Sequence, residues 1–187
     1  MYAKSLESAS LSIMSLKISD IQVLKVLLNE LCEGTKLEIK EKVLVKSQLR
    51  GINHVDPNDM LILQHRAEGR LLLTDRNGFY NDLLSAAFRT LEGRVLILIT
   101  NIENDPPEGA LASSEIFELA KYGDQPTIGV LAEMGKVVCY KTKPSISQAQ
   151  HIQTLIKKFA FFREVPSYEG LPDSFSPSNK AYKCPLL

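Results

Sequence analysis

Residues Asn58 to Ala87, NDMLILQHRAEGRLLLTDRNGFYNDLLSAA, decide how the chain is read. Met60 to Leu63 is a short apolar run, Gly69 breaks it, and Arg70 to Thr74 (RLLLT) is a second, so the two suit neighbouring strands. A helix over Asn58 to Glu68 competes, because Met60, Leu61, Leu63 and Ala67 also fit one helical face. Asp75-Arg76-Asn77-Gly78 is turn chemistry. Phe79, Leu83, Leu84, Ala87, Phe88 and Leu91 then recur at helical spacing up to Gly93, a natural stop.

Downstream, Arg94 to Thr100 (RVLILIT) is an uninterrupted apolar run bounded by polar residues, the pattern of a strand covered on both faces and the expected middle of the sheet. Pro106 and Pro107 forbid its continuation through the loop from Asn101 to Gly109. A helix is expected over Ala110 to Tyr122, capped by Ser113 or Ser114, and Pro126 to Met134 reads as a second helix or an irregular apolar segment. Lys136 to Tyr140 (KVVCY) is a strand, and Ser145 or Ser147 caps a last helix reaching about Arg163.

Upstream, Leu11 to Ile18 is compatible with a strand, with helix or coil left open. Ser19-Asp20 offers a cap for a helix over Asp20 to Glu33, whose Ile21, Leu24, Leu27, Leu28 and Leu31 share one face and whose end falls at Gly34. Lys36 to Val45 alternates apolar and charged residues as a strand with one wet face. Helix and strand alternate from there on, which predicts an α/β domain with a mostly parallel sheet between two helical layers. The division expected is 1–19 as an amino-terminal extension with the first strand, 20–163 as the α/β domain, and 164–187 as an irregular tail rich in Pro, Ser and Gly.

Size and charge bound the function. A chain of 187 residues can bury one sizeable core, and a formal net charge of zero argues against coating nucleic acid over the whole surface. Cys32, Cys139 and Cys184 are odd in number and lack metal-ligand spacing, so neither a disulfide framework nor a zinc site is expected. No apolar run approaches the ~18 residues that span a bilayer, and the first residues lack the pattern of a secretory signal; an intracellular protein without a membrane segment is expected.

The motif resembles the core of the XPF-type structure-specific endonucleases, in which a strand with Gly-Asp leads to a second strand ending Glu-Arg-Lys and then to Asp-Leu-Ile/Leu. Here those positions read Asn58-Asp59, Arg76-Asn77-Gly78 and Asp82-Leu83-Leu84. The likeness covers about Asp20 to Phe162 and implies a single three-layer domain of XPF/restriction-nuclease type. Active members hold a divalent metal with the motif carboxylates. A guanidinium at the glutamate position, Arg76, cannot lose its charge and stands where the metal belongs.

The resemblance therefore implies a non-catalytic subunit that pairs with an XPF-family-like partner and, through the complex, binds branched DNA in nuclear DNA repair or meiotic recombination. Asp59, Asp75 and Asp82 are then remnant acids, with no catalytic residue, metal or other cofactor expected. Lys36, Lys40, Lys42, Lys46 and Arg50 form the most basic stretch, read either as DNA contacts or as a solvated edge strand guarded by its charges. Phe161 points away from the stripe of Ile152, Leu155, Ile156, Phe159 and Phe162, and Phe161 with Phe162 is the expected partner surface, or else lies under the tail.

Two other readings compete. The spacing of Asp20, Asp56 or Asp59, and Asp75 also resembles that of PIN-like nucleases, which implies magnesium or manganese chemistry if those acids converge. The balanced charge fits a protein scaffold that never touches nucleic acid. His54, His65 and His151 form no catalytic pattern with Cys or Ser, and no glycine-rich phosphate loop follows any strand.

Overall fold

The computed structural model describes residues 8–45, 55–68, 80–114 and 126–161. Within them run β1 (Ser8–Ser15), α1 (Ile18–Leu31), β2 (Lys36–Val43), β3 (Met60–Arg66), α2 (Asn81–Thr90), β4 (Val95–Thr100), α3 (Pro126–Glu133), β5 (Val137–Tyr140) and α4 (Ile146–Phe161). The five strands are all parallel, in the order β2-β1-β3-β4-β5. This is the doubly wound, flavodoxin-like order, in which the chain steps to one side of β1 and then crosses back to the other.

Alternation along the strands sorts the side chains into two cores. Leu11 and Ile13 of β1, Met60 and Ile62 of β3, and Leu96 and Leu98 of β4 face Ile21, Leu24 and Leu28 of α1 and Ile152 and Ile156 of α4. Leu61, Leu63, Val95, Ile97 and Ile99 face the other way, onto Leu83, Leu84 and Ala87 of α2, Leu91 at its C-cap, and Ile128 and Leu131 of α3. Both helical layers are thus present and the domain has three layers. Each fully buried leucine or isoleucine contributes roughly 1.5–3 kcal/mol of transfer free energy.

The central strand is β3 rather than β4. Both are buried on both faces, and the purely apolar RVLILIT disguises the fact that the strand before it is flanked more deeply, by β1 and β4. β3 also extends past the apolar run through Gln64, His65 and Arg66, so the competing helix there is excluded. β1 lies inside the sheet, paired on both sides, and belongs to the domain rather than to an extension. β2 is an edge strand whose Leu37 and Ile39 pack half-buried beneath α1 while its lysines alternate to the other face.

The amino end of α1 differs from the expected cap, whereas its Gly34 stop and the Ser145 cap of the last helix are as expected. α1 begins at Ile18, ahead of Ser19-Asp20, with Lys17 at the N-cap and no side-chain cap bond; Asp20 lies inside the first turn, where the helix dipole favours an acid. At its far end Gly34 takes φ 86°, a backbone conformation that L side chains rarely adopt. α4 opens with a capping box: Ser145 Oγ accepts from the Gln148 amide at 3.3 Å, and Gln148 Oε1 accepts from the Ser145 amide at 3.0 Å. Gln148 also donates through Nε2 to the carbonyls of Cys139, Ala110 and Leu111. The expected helix does not start at Ala110; Leu111 instead accepts from the Cys139 amide at 2.7 Å along the outer edge of β5. Its continuation, the second run Arg70 to Thr74, Cys184 and the tail 164–187 lie outside the described residues.

Candidate functional site

The motif aspartate sits at the amino ends of the strands. Asp59 immediately precedes β3, is 1% exposed, and accepts from Ser10 Oγ at 2.6 Å and Ser12 Oγ at 2.5 Å, both on β1. Lys40 of β2, the register partner of Ser12, reaches it across β1 at 2.9 Å. One carboxylate therefore ties three adjacent strands together. Lys40 also bonds Asp56 at 3.3 Å, while Asp56 accepts from the Asn58 amide at 2.9 Å in a local turn. The bond to Asp59, ahead of the contact with Asp56, raises the pKa of Lys40; the Asn58 amide, followed by Lys40, lowers that of Asp56.

At the carboxyl ends, β1 and β3 diverge to different connections, and this crevice is where doubly wound sheets place ligands. Ser15 and Gln64 are register partners there, both buried, and Gln64 Nε2 donates to Thr100 Oγ1 of β4 at 3.0 Å. Gln64 Oε1 is buried without a hydrogen-bond partner among the described residues. Over the crevice, Glu68 joins Lys17 at 2.5 Å and Arg66 Nε at 2.8 Å, and Arg66 also lies 3.9 Å from Asp20. Lys17 holds Glu68 below the usual carboxylate range, whereas burial raises Asp20 above it despite Arg66 and Lys17.

On the other face of β3, His65 Nδ1 meets the Tyr80 hydroxyl at 3.2 Å, with the rings edge to face. Burial lowers the pKa of His65 to about 4 and raises that of Tyr80. The pair fastens β3 to the start of α2. Its His65 Nε2 is buried with no hydrogen-bond partner among the described residues.

Among the sequence candidates, Asp59 and Asp82 are not neighbours. α2 ends beside Gly93, at the amino end of β4, so the exposed Asp82 in its first turn is at the carboxyl side of the sheet, roughly 15–20 Å from Asp59 by helix and strand rise. Asp20 lies at the carboxyl side too, one turn into α1, so the PIN-like pair of Asp20 with Asp56 or Asp59 is not brought together. Among the described residues no group of three or more His, Cys, Asp or Glu is arranged to hold a metal ion. Asp75 and Arg76, with Lys46, Arg50 and Phe162, lie outside the described residues, as does the side chain of Phe161.

Of the basic stretch, Lys36, Lys40 and Lys42 share one face of β2, the face away from Leu37 and Ile39. Lys40 is engaged by two carboxylates, and burial lowers the pKa of Lys42. The stripe on α4 packs as expected, with Ile152 and Ile156 buried and Leu155 and Phe159 partly so. Sequence reasoning missed Ser10 and Ser12 at one end and Lys17, Gln64, Arg66 and Glu68 at the other. The only signal for the second group was a polar Gln-His-Arg continuing an apolar strand.

Fold and crevice together define a doubly wound α/β domain. No family model matches the sequence, and no curated protein matches it. Among solved structures, a Burkholderia pseudomallei protein described as related to pilus assembly aligns at a TM-score of 0.42 and 12% identity, over 86% of this chain and 95% of that one. Among the described residues no helix is long and apolar enough to cross a membrane.

Proposed function

We propose that this chain is a non-catalytic α/β domain that works by docking onto a protein partner. The observation that carries the reading is the commitment of Asp59: its carboxylate is enclosed by Ser10, Ser12 and Lys40, three donors that take up most of the roughly four lone-pair sites through which it would hold a hard cation. Of the other acids, Asp56 shares Lys40 with Asp59, and Asp20 and Glu68 lie at the opposite end of the sheet beside Lys17 and Arg66.

The motif's resemblance narrows the proposed partner to an XPF-type relative, with branched DNA as the ligand of the complex in the nucleus. A version of the same role without nucleic acid is favoured by Lys40, whose charge is balanced by Asp56 and Asp59 instead of being presented to phosphates. Affinity purification from the native cell, with identification of the captured protein, tests the docking role. A stoichiometric partner supports it; a chain recovered alone at native expression contradicts it. Salt-dependent binding of branched DNA by the complex then selects the first version, and salt-independent or absent binding the second.

A further inference from the structure

We propose that the carboxyl-end crevice between β1 and β3 binds a phosphate group, free or carried by a small phosphomonoester, at the place now taken by the Glu68 carboxylate. The site is built from independent parts. α1 is a helix of 14 residues whose N-cap, Lys17, supplies no side-chain acceptor, so its first amides keep their donors and the positive end of the dipole faces the crevice. Lys17 and Arg66, one from each strand end, converge on a single carboxylate, Glu68, which marks where two cations meet an oxyanion.

Gln64 supplies the second line of argument. It is 5% exposed, one end of its amide is bonded to Thr100 of β4, and the other end has no partner among the described residues. Nε2 is held on the β4 side, and on the β1 side Ser15 is the register partner of Gln64. A carboxamide can present either atom: turned half round, Gln64 accepts from the Thr100 hydroxyl and offers Nε2, a buried donor, to the crevice. Ser15 Oγ adds a hydroxyl, met only at 3.5 Å by the Lys17 amide. Asp20 is the opposing charge among the described residues, and without Glu68 the cluster of Lys17, Arg66 and Asp20 carries a net single positive charge. Glu68 is thus an internal competitor, and its loss should reveal the affinity.

The test is a titration of the isotope-labelled full chain with inorganic phosphate and with phenyl phosphate, followed by amide chemical shifts, with chloride at matched ionic strength as control. Glu68→Gln should bind phosphate at least tenfold tighter than the wild type, with shifts centred on Ser15, Lys17, Ser19 and Asp20. Adding Lys17→Met and Arg66→Met to that variant should abolish the response. Binding of both probes assigns the site to phosphomonoesters, and binding of inorganic phosphate alone assigns it to the free anion. No gain in Glu68→Gln, an equal response to chloride, or shifts centred on Lys36 and Lys42 would overturn the proposal. Because the readout is the crevice itself, its failure leaves the docking role standing.

Discussion

Lys40 and Asp59 meet at 2.9 Å across the width of β1, one on the edge strand and the other at the foot of the central strand. The carboxylate is enclosed and the ammonium is 44% exposed, so the two ends of the pair are unequal. Ser10 and Ser12 complete the enclosure from the strand between them.

Removing the enclosed end should cost more than removing the exposed one. Asp59→Ala leaves two hydroxyls without their acceptor and Lys40 with Asp56 alone, and should destabilise the domain by about 3 kcal/mol. Lys40→Met leaves Asp59 with its two hydroxyl donors and should destabilise less, by an amount that shrinks as salt is added. Urea unfolding of the three proteins at low and high salt measures both. An Asp59→Ala protein as stable as the wild type would show that the three-strand clasp is not what the acid is for.

His65 sets a pH dependence. Its folded pKa of about 4 lies below the unfolded value of 6.5, so between them the unfolded chain binds the extra proton and stability falls as the pH falls. The full loss is roughly 3 kcal/mol, developed below pH 6.5 and complete near pH 4. Asp20 acts in the opposite sense: burial raises its folded pKa above 3.8, so stability is gained as the pH falls through the raised value toward 3.8. Unfolding midpoints at pH 7 and pH 4.5 for the wild type and His65→Leu isolate the histidine. The variant should lose most of the acid-side slope, and an unchanged slope would assign it elsewhere.

Gln148 holds the last strand and helix to the segment beside them. Gln148→Ala strands the carbonyls it serves, above all that of Cys139 at 2.9 Å, and should cost about 2 kcal/mol. Ser145→Ala removes the other half of the capping box and should cost about 1 kcal/mol. Since each bonds the other, the double variant should cost less than the sum. Strict additivity in thermal or urea unfolding would mean that the box is not formed.

The parts legible in the sequence are those in which one local pattern has one packing solution. Ile21, Leu24 and Leu28 announced α1, RVLILIT announced a strand buried on both faces, and the stripe through Ile152 and Ile156 announced the helix that covers the sheet. Rank within the sheet was not legible, because β3 ends in Gln64, His65 and Arg66, whose polarity is tolerable only once Thr100 and Tyr80 are beside them. The clasp was hidden for the same reason: Ser10 and Asp59 are 49 positions apart, and nothing in either neighbourhood predicts the other. The motif singled out Asp59, but spacing alone does not say whether an acid is turned toward a metal or toward the strands it binds.

The central claim, that Asp59 is spent on architecture and not on catalysis, is tested most directly by incubating the purified full chain with branched and linear DNA in magnesium or manganese, beside Asp59→Asn. No cleavage by either protein, together with a lowered unfolding midpoint for Asp59→Asn, is the predicted result. Metal-dependent cleavage by the wild type that disappears in an Asp59→Asn protein of unchanged stability would contradict it.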